Sequence, residues 1–509
     1  MIKKSESYNE KFFSQYKVIR NFFRKFNRES IFMSCMDFLI TPVNNPINQI
    51  KKRPWNIFLL IKWIYSDSEN PNPSNNITPY AFNKLRKYMY DLTMYVKPLN
   101  EYENLDLFFR HLAYQQFIYQ KSLNLDQIHR QLVFFSTLNN NHYIKSTFYK
   151  LTGIKLVNFV ELCLMLIGHF YVKKQNYVSE NYFDNFIGLF GKNQIESYWK
   201  TISLSSNELC TFFRRYSSNN LRNPSEFYEQ TPFTNKPLIK FDSNYICLDQ
   251  HLLFLFVENY FYDLLKSNDA KNFVPKFGPI FENYVKKTLI YSELNFFHEE
   301  ELKKILKPKN KIIDFVIVER KANIFIDAKA VEMSYNGKYS SNKTDIERCS
   351  NKSVIKAIHQ AHDTNQSIWE TKNPKIQFQD NNYVLVITFQ EMYLRNGLFY
   401  YKNISDKKVD KIISNYKQNL LIPLENIYFI TLTDFDNLIE YVKNKKVTIS
   451  SVIEYAKQND FDDDPMKQKF HFSQHLHSLK AFESPSFLNE QYFKVQEKLK
   501  DFIKKSRWS

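Results

Sequence analysis

Two apolar runs set back to back between residues 311 and 331 restrict the fold of this chain more than any other feature. In Lys311 to Glu319, Ile312, Val316 and Val318 fall on one face of an extended strand, and Ile313, Phe315 and Ile317 on the other. Side chains alternate across a strand, so apolar residues on both faces mean a central strand, covered above and below. Arg320 to Ala322 make a tight turn, and Asn323 to Val331 returns as the partner strand.

The flanking periodicity supplies the covering layers. Phe277, Ile280, Phe281, Tyr284, Val285 and Leu289 form one helical stripe with Glu282 at its margin. Leu294 to Ile305 reads as a further strand, and Ser334 to Lys352 as a polar loop. Val354, Ile355, Ile358, Ala361 and Ile368 trace a second amphipathic helix. Tyr383 to Phe389 is a continuous apolar run, which after a helix reads as a buried strand reached by a crossover. Ile427 to Leu432, followed by a helix over Asp434 to Lys443, repeats that pattern. Residues 273–445 therefore read as a mixed sheet flanked by helices, an α/β core.

Ahead of this core the apolar residues recur at three and four, as in Leu105, Phe108, Phe109, Leu112 and Ala113, so residues 1–240 read as an all-helical domain suited to recognising a substrate or partner. Polar breaks stand at 71–76, 217–224 and 230–237. Residues 241–272 read as a connecting segment containing an aromatic helix, His251 to Leu265, after a short strand pair from Leu238. Residues 446–509 form a helical tail. Its acidic cluster, Asp460, Asp462, Asp463 and Asp464, lacks the glycine of a metal loop and precedes Pro465, so it reads as a solvated linker.

Composition narrows the function classes. Lys and Arg outnumber Asp and Glu by 70 to 53, the sign expected of a partner for nucleic acid or another polyanion, although a lysine-rich compositional bias produces the same excess. The five cysteines form no CxxC pair, which excludes a zinc ribbon and a disulfide framework and fits a reducing cytoplasm. The amino terminus lacks the apolar core of a secretory signal. The apolar stretches Trp55 to Tyr65 and Leu156 to Val172 are too short or too polar to span a bilayer, so no membrane association is expected. Gly188 to Asn193 departs from a phosphate-binding loop in spacing and lacks the Ser or Thr that follows its lysine, so no nucleoside triphosphate site is expected. His298-Glu299-Glu300 lacks the second histidine of a zinc protease, and no Gly-x-Ser-x-Gly occurs.

What remains is a carboxylate constellation. Asp314 sits within an apolar strand, where an unpaired carboxylate costs several kcal/mol and calls for a cation or a donor. Asp327 and Lys329, two apart on a strand, emerge on one face. A hairpin brings Asp314 towards Asp327 with Lys329 one pleat further along. The bland alternatives are a strand-end carboxylate paired with Lys311 and a solvated lysine. On the second helix Lys352, Lys356 and Gln360 follow at intervals of four, a face suited to phosphates or a water, or simply a solvated one. His359, His362 and Asp363 lack enough further ligands for zinc.

An acid on one strand and acid-x-lysine on the next, after a helix bearing Glu, resembles the PD-(D/E)XK nuclease superfamily, the restriction-endonuclease-like fold, over roughly residues 277–433. The resemblance implies that Asp314, Asp327 and Glu282 hold Mg2+, with Mn2+ a substitute, and that Lys329 orients or deprotonates water. Ile313 stands where the motif's proline is found and Asp327 where glutamate is commoner; neither change removes a ligand. Glu293 and Glu300 are rivals of Glu282. The implied activity is hydrolysis of phosphodiester bonds to a 5′-phosphate and 3′-hydroxyl, with DNA ahead of RNA, and fusion to a helical region suggests defence against phage or plasmids. A homo-oligomer or protein partner through the helical region, or a non-catalytic nucleic-acid-binding protein that kept the fold, are the alternatives.

Overall fold

The computed structural model describes residues 2–41, 51–68, 74–96, 104–120, 124–173, 175–216, 222, 224–340 and 342–506. Within the expected polar breaks, residues 71–73, 217–221 and 223 lie outside these. The chain divides into two units, residues 1–128 with 140–268 and residues 129–139 with 269–509. This division differs from cuts at 240, 272 and 445. Residues 241–268 stay with the first unit, the tail stays with the second, and residues 129–139 cross to it from within the helix Asp126–Ser136. Periodicity says that a helix buries a face, not whose core receives it.

In the first unit the helices Ile2–Phe23, Arg28–Ile40, Pro54–Ser66 and Pro79–Asp91 share a core that includes Phe12, Ile19, Phe32, Leu60, Trp63 and Leu85. Pro54–Ser66 is apolar nearly all round, the composition of a helix buried on every side. Its Lys62 is 4% exposed and is compensated by Glu229 at 2.9 Å and Glu226 at 3.4 Å. Among the described residues no single helix is long and apolar enough to cross a membrane. The pair Tyr143–Thr152 and Leu156–Tyr171, bent by 64°, reaches that length and composition jointly.

The all-helical expectation for this region is corrected. Strands β1 (Tyr177–Ser179), β2 (Ser203–Ser205), β3 (Leu238–Phe241) and β4 (Asn244–Cys247) form a sheet in the order β1-β4-β3-β2. The β3–β4 pair is the one legible from Leu238; β1 and β2 are three residues each, too short for alternation to register.

The segment Gln250–Ser292 is two helices separated at Asp269, whose carboxylate accepts the Asn272 N–H at 3.2 Å and so caps the second. The second unit begins there. Its sheet runs β5 (Phe296–His298), β6 (Phe315–Val318), β7 (Ala322–Lys329), β8 (Asn381–Thr388) and β9 (Ile427–Thr431), in that order. β6 is antiparallel to both neighbours, and β7, β8 and β9 are mutually parallel. Both faces are covered, which is why these strands read as unbroken apolar runs. Lys329 reaches Gln360 on the helix Lys356–Thr371, so Asn323, Phe325, Asp327 and Lys329 face that helix. Tyr383, the register partner of Ile324, bonds Glu454 on the helix Ile449–Asp460, so the alternate residues face the other layer.

Three local expectations change. Leu294 to Ile305 is a three-residue strand followed by the helix Glu299–Leu306, whose first turn holds Glu299, Glu300 and Glu301, acids that favour a helix N-terminus. The polar loop from Ser334 contains the helices Tyr335–Tyr339 and Lys343–Ser350 and a π-helical turn, Asn351–Ile355. The strand expected from Lys311 starts at Phe315. The residues ahead of it are held by side chains: Thr364 Oγ1 accepts the Ile313 N–H at 3.0 Å, and Gln360 Nε2 donates to the Ile312 carbonyl at 2.6 Å.

Candidate metal centre

The β6–β7 ladder pairs Phe315 with Ile326, and its continuation sets Asp314 opposite Asp327. The ladder stops there, and Asp314 Oδ2 accepts the Ala328 N–H at 2.7 Å, extending the pairing by a side chain. Asp327 is fully buried; its Oδ1 receives the Lys329 ammonium at 2.7 Å. Its Oδ2 lies 2.5 Å from the same nitrogen, without hydrogen-bond geometry, and is buried with no nitrogen or hydroxyl donor directed to it. The ammonium balances its charge, and a proton shared from Asp314 or a further cation can supply the missing hydrogen-bond or ligand contact. Gln360 Oε1 is a second, longer acceptor for Lys329 at 3.4 Å.

Electrostatics follow from this crowding. Burial, then repulsion from Asp327, holds the Asp314 carboxyl well above the usual carboxylate range, against the pull of Lys329 and the Ala328 N–H. Glu282, half-buried on the helix before β5, is raised by burial and by Glu299, with a smaller contribution from Asp327. Lys356 is lowered by burial, then by Lys329.

The structure thus joins Asp327, Lys329 and Gln360 through the Lys329 ammonium and sets Asp314 opposite Asp327 on the Ala328 N–H, with Glu282 and Lys356 in electrostatic range. Among the described residues no group of three or more His, Cys, Asp or Glu is assembled to hold a metal, so Glu282 is not drawn into one cluster with the two aspartates. Lys352 lies in the π-helical turn, and the even spacing expected on one α-helical face is broken between it and Lys356. Thr364 escaped the sequence reading although it holds Ile313 in place; its signal was its position four residues after Gln360, on the same helical face.

Other sequence candidates have structural partners. His362 is buried, its Nδ1 2.8 Å from the Ile358 carbonyl and its Nε2 accepting the Ile422 N–H at 3.2 Å. Asp363 accepts the Tyr416 hydroxyl at 2.7 Å. Asp460 is buried against His475 at 3.0 Å and Tyr428 at 3.1 Å, and Asp462 pairs with Lys467 at 2.8 Å. A cleft of about 620 Å³ lies elsewhere in this unit, lined by Glu425, Glu454, Lys457, Asp462 and Asp463. Its carboxylates repel a polyanion.

No family model matches the chain, and no solved structure matches it. An uncharacterized protein of Methanocaldococcus jannaschii is 25% identical over 275 residues, 49% of this chain and 49% of its own length. The chain therefore spans about half the length of this curated relative.

Proposed function

We propose that the second unit is a metal-dependent nuclease with a restriction-endonuclease-like core. The opposition of Asp314 and Asp327 beside Lys329 carries this reading. The strand order, with β6 running against the other four, and the helix Lys356–Thr371 between β7 and β8 support it.

The residues fit a hard divalent cation, because Asp314 and Asp327 offer carboxylate oxygens and the buried Asp327 Oδ2 meets the Lys329 ammonium outside hydrogen-bond geometry. Asp314 and Asp327 would hold Mg2+, with Glu282 as the further carboxylate. Bound there, the cation supplies charge neutralisation at the phosphate and a hydroxide near neutral pH. Asp314 must give up its proton for this, and Lys329 beside it favours that loss. Lys329, held by Asp327 and Gln360, presents an ammonium to the attacking water and the phosphate. Water would add to phosphorus as its proton passes to solvent, the P–O3′ bond breaks, and the 3′ oxygen takes up a proton, so that a 5′-phosphate and a 3′-hydroxyl result.

Purified protein should cut plasmid DNA or oligonucleotides with Mg2+ or Mn2+ and stop with chelator. Undiminished cutting by Asp327→Ala and Lys329→Ala would sink the reading. The second reading, a nucleic-acid binder that kept the fold, is favoured by one observation: Lys329 already neutralises Asp327 without a metal. Such a protein binds in chelator and never cuts.

A further inference from the structure

The first unit pairs two of its interior cations with carboxylates and arranges the cations of one surface otherwise. Lys62 and Arg222, both buried, meet Glu226 and Glu229. Around the helix Pro79–Asp91 the cations lie on aromatic rings instead. Lys25 and Lys84 stand over Phe22 at 5.8 and 5.7 Å, Arg53 over Tyr90 at 4.1 Å, and Arg86 and Lys52 over Phe38 at 3.7 and 5.5 Å. Among the described residues none of these, nor Lys87, forms an ion pair with a carboxylate.

Arg86 and Lys52 share a ring and repel, and burial, then that repulsion, lowers Lys52. Lys52 is tied down by the Phe38 and Leu39 carbonyls at 2.9 and 3.4 Å. Arg86 has Asn83 Oδ1 at 3.1 Å. Rings hold these side chains in place without neutralising them, and like charges gathered this way are stabilised by an anion.

The outward stripe of the helix is Tyr80, Asn83, Lys84, Lys87 and Tyr90, at helical spacing. Tyr80 is 81% and Tyr90 50% exposed. A helix that lies in a membrane surface needs an apolar stripe, and this outward one has a tyrosine at each end with Asn83, Lys84 and Lys87 between them. That pattern suits a strand of nucleic acid, whose phosphates meet the cations and whose bases have aromatic rings to stack on. Its 13 residues span about 20 Å, the reach of roughly six nucleotides at about 3.4 Å each.

We propose that this face of the first unit binds the phosphate backbone of a nucleic-acid strand through Arg53, Lys84, Arg86 and Lys87. The site is separate from the carboxylate centre and does not depend on its chemistry.

The test uses the full chain in chelator, with a labelled 12-nucleotide strand and fluorescence anisotropy across a salt series. Lys84→Glu with Lys87→Glu, both exposed positions, should weaken binding at least tenfold at low salt. The slope of log affinity against log salt should become shallower by about two, one for each lost phosphate contact. Lys407→Glu with Lys411→Glu, the same change of charge on exposed lysines of the second unit, should do neither. Unchanged affinity and slope in the first double variant overturns the proposal, as does an equal loss in the second. Loss of binding to phosphatidylserine vesicles with oligonucleotide binding intact also overturns it.

Discussion

The Lys329 ammonium lies 2.7 Å from Oδ1 of Asp327, a carboxylate with no solvent exposure, two residues earlier on the same strand. This pair neutralises charge at the place where the β6–β7 ladder brings in a second aspartate. Removing either partner leaves a buried charge alone, and that cost decides how variants behave.

Lys329→Met should therefore destabilise the second unit by about 3–5 kcal/mol in chelator, the usual consequence of stranding a buried partner. Mg2+ should recover part of that loss by taking the ammonium's place, while cutting stays abolished. Urea denaturation with and without Mg2+ measures both; a midpoint equal to that of the wild type in chelator contradicts the burial argument.

Asp314→Asn should act in the opposite direction on stability. Its carboxyl is raised by burial and by Asp327, so the folded chain keeps this proton at pH values where the unfolded chain has lost it. Stability from this group thus falls as pH rises from the ordinary carboxylate range through the raised folded value. Asparagine removes that dependence and can still accept the Ala328 N–H. In chelator the margin of the variant over the wild type should be larger at about pH 8 than at about pH 5, with cutting lost. Thermal melts at the two pH values check the sign.

Arg130 belongs to the short segment that crosses into the second unit, and it meets Asp436 at 2.7 Å, with Tyr284 bonded to the same oxygen at 2.6 Å. Arg130→Met should cost about 3–5 kcal/mol, because Asp436 is fully buried. Hydrogen exchange should quicken in the helix Leu432–Lys445, which carries Asp436. Arg130→Met paired with Asp436→Leu should regain most of the loss.

Lys236 supplies a pH dependence in the first unit. Burial pushes its ammonium down to about 8, against the pull of Glu208. Between that value and the ordinary 10.5 the unfolded chain holds a proton that the folded chain has shed, so stability rises with pH across this window. The difference in melting temperature between wild type and Lys236→Met should shift in favour of the wild type as pH rises through the window. A flat difference shows that Lys236 is solvated.

Local pattern made much of the second unit legible. The central strands, the helix after them and the apolar strand at Tyr383 follow from periods of two and 3.6 and from the length of each run. Short elements did not register: β1 and β2 offer three residues each, and the helix Tyr335–Tyr339 offers five in a polar setting. At that length alternation and helical spacing cannot be told apart. The segment 129–139 was illegible for a different reason, since its apolar face suits either core and the Arg130–Asp436 pair joins residues far apart in sequence.

By itself the sequence determined that Asp327 and Lys329 share a face, because side-chain direction on a strand follows from the local backbone alone. It also determined that Asp314 needs a donor or a cation, since its neighbours are apolar. Only the tertiary structure decided that Asp314 stands opposite Asp327, through the pairing of Phe315 with Ile326. It alone decided that Gln360 and Thr364 hold the two residues before Asp314 in place, and that Glu282 remains outside the cluster. Register and helix docking depend on burial summed over the whole sheet, and a one-residue slip would have turned every one of these side chains away.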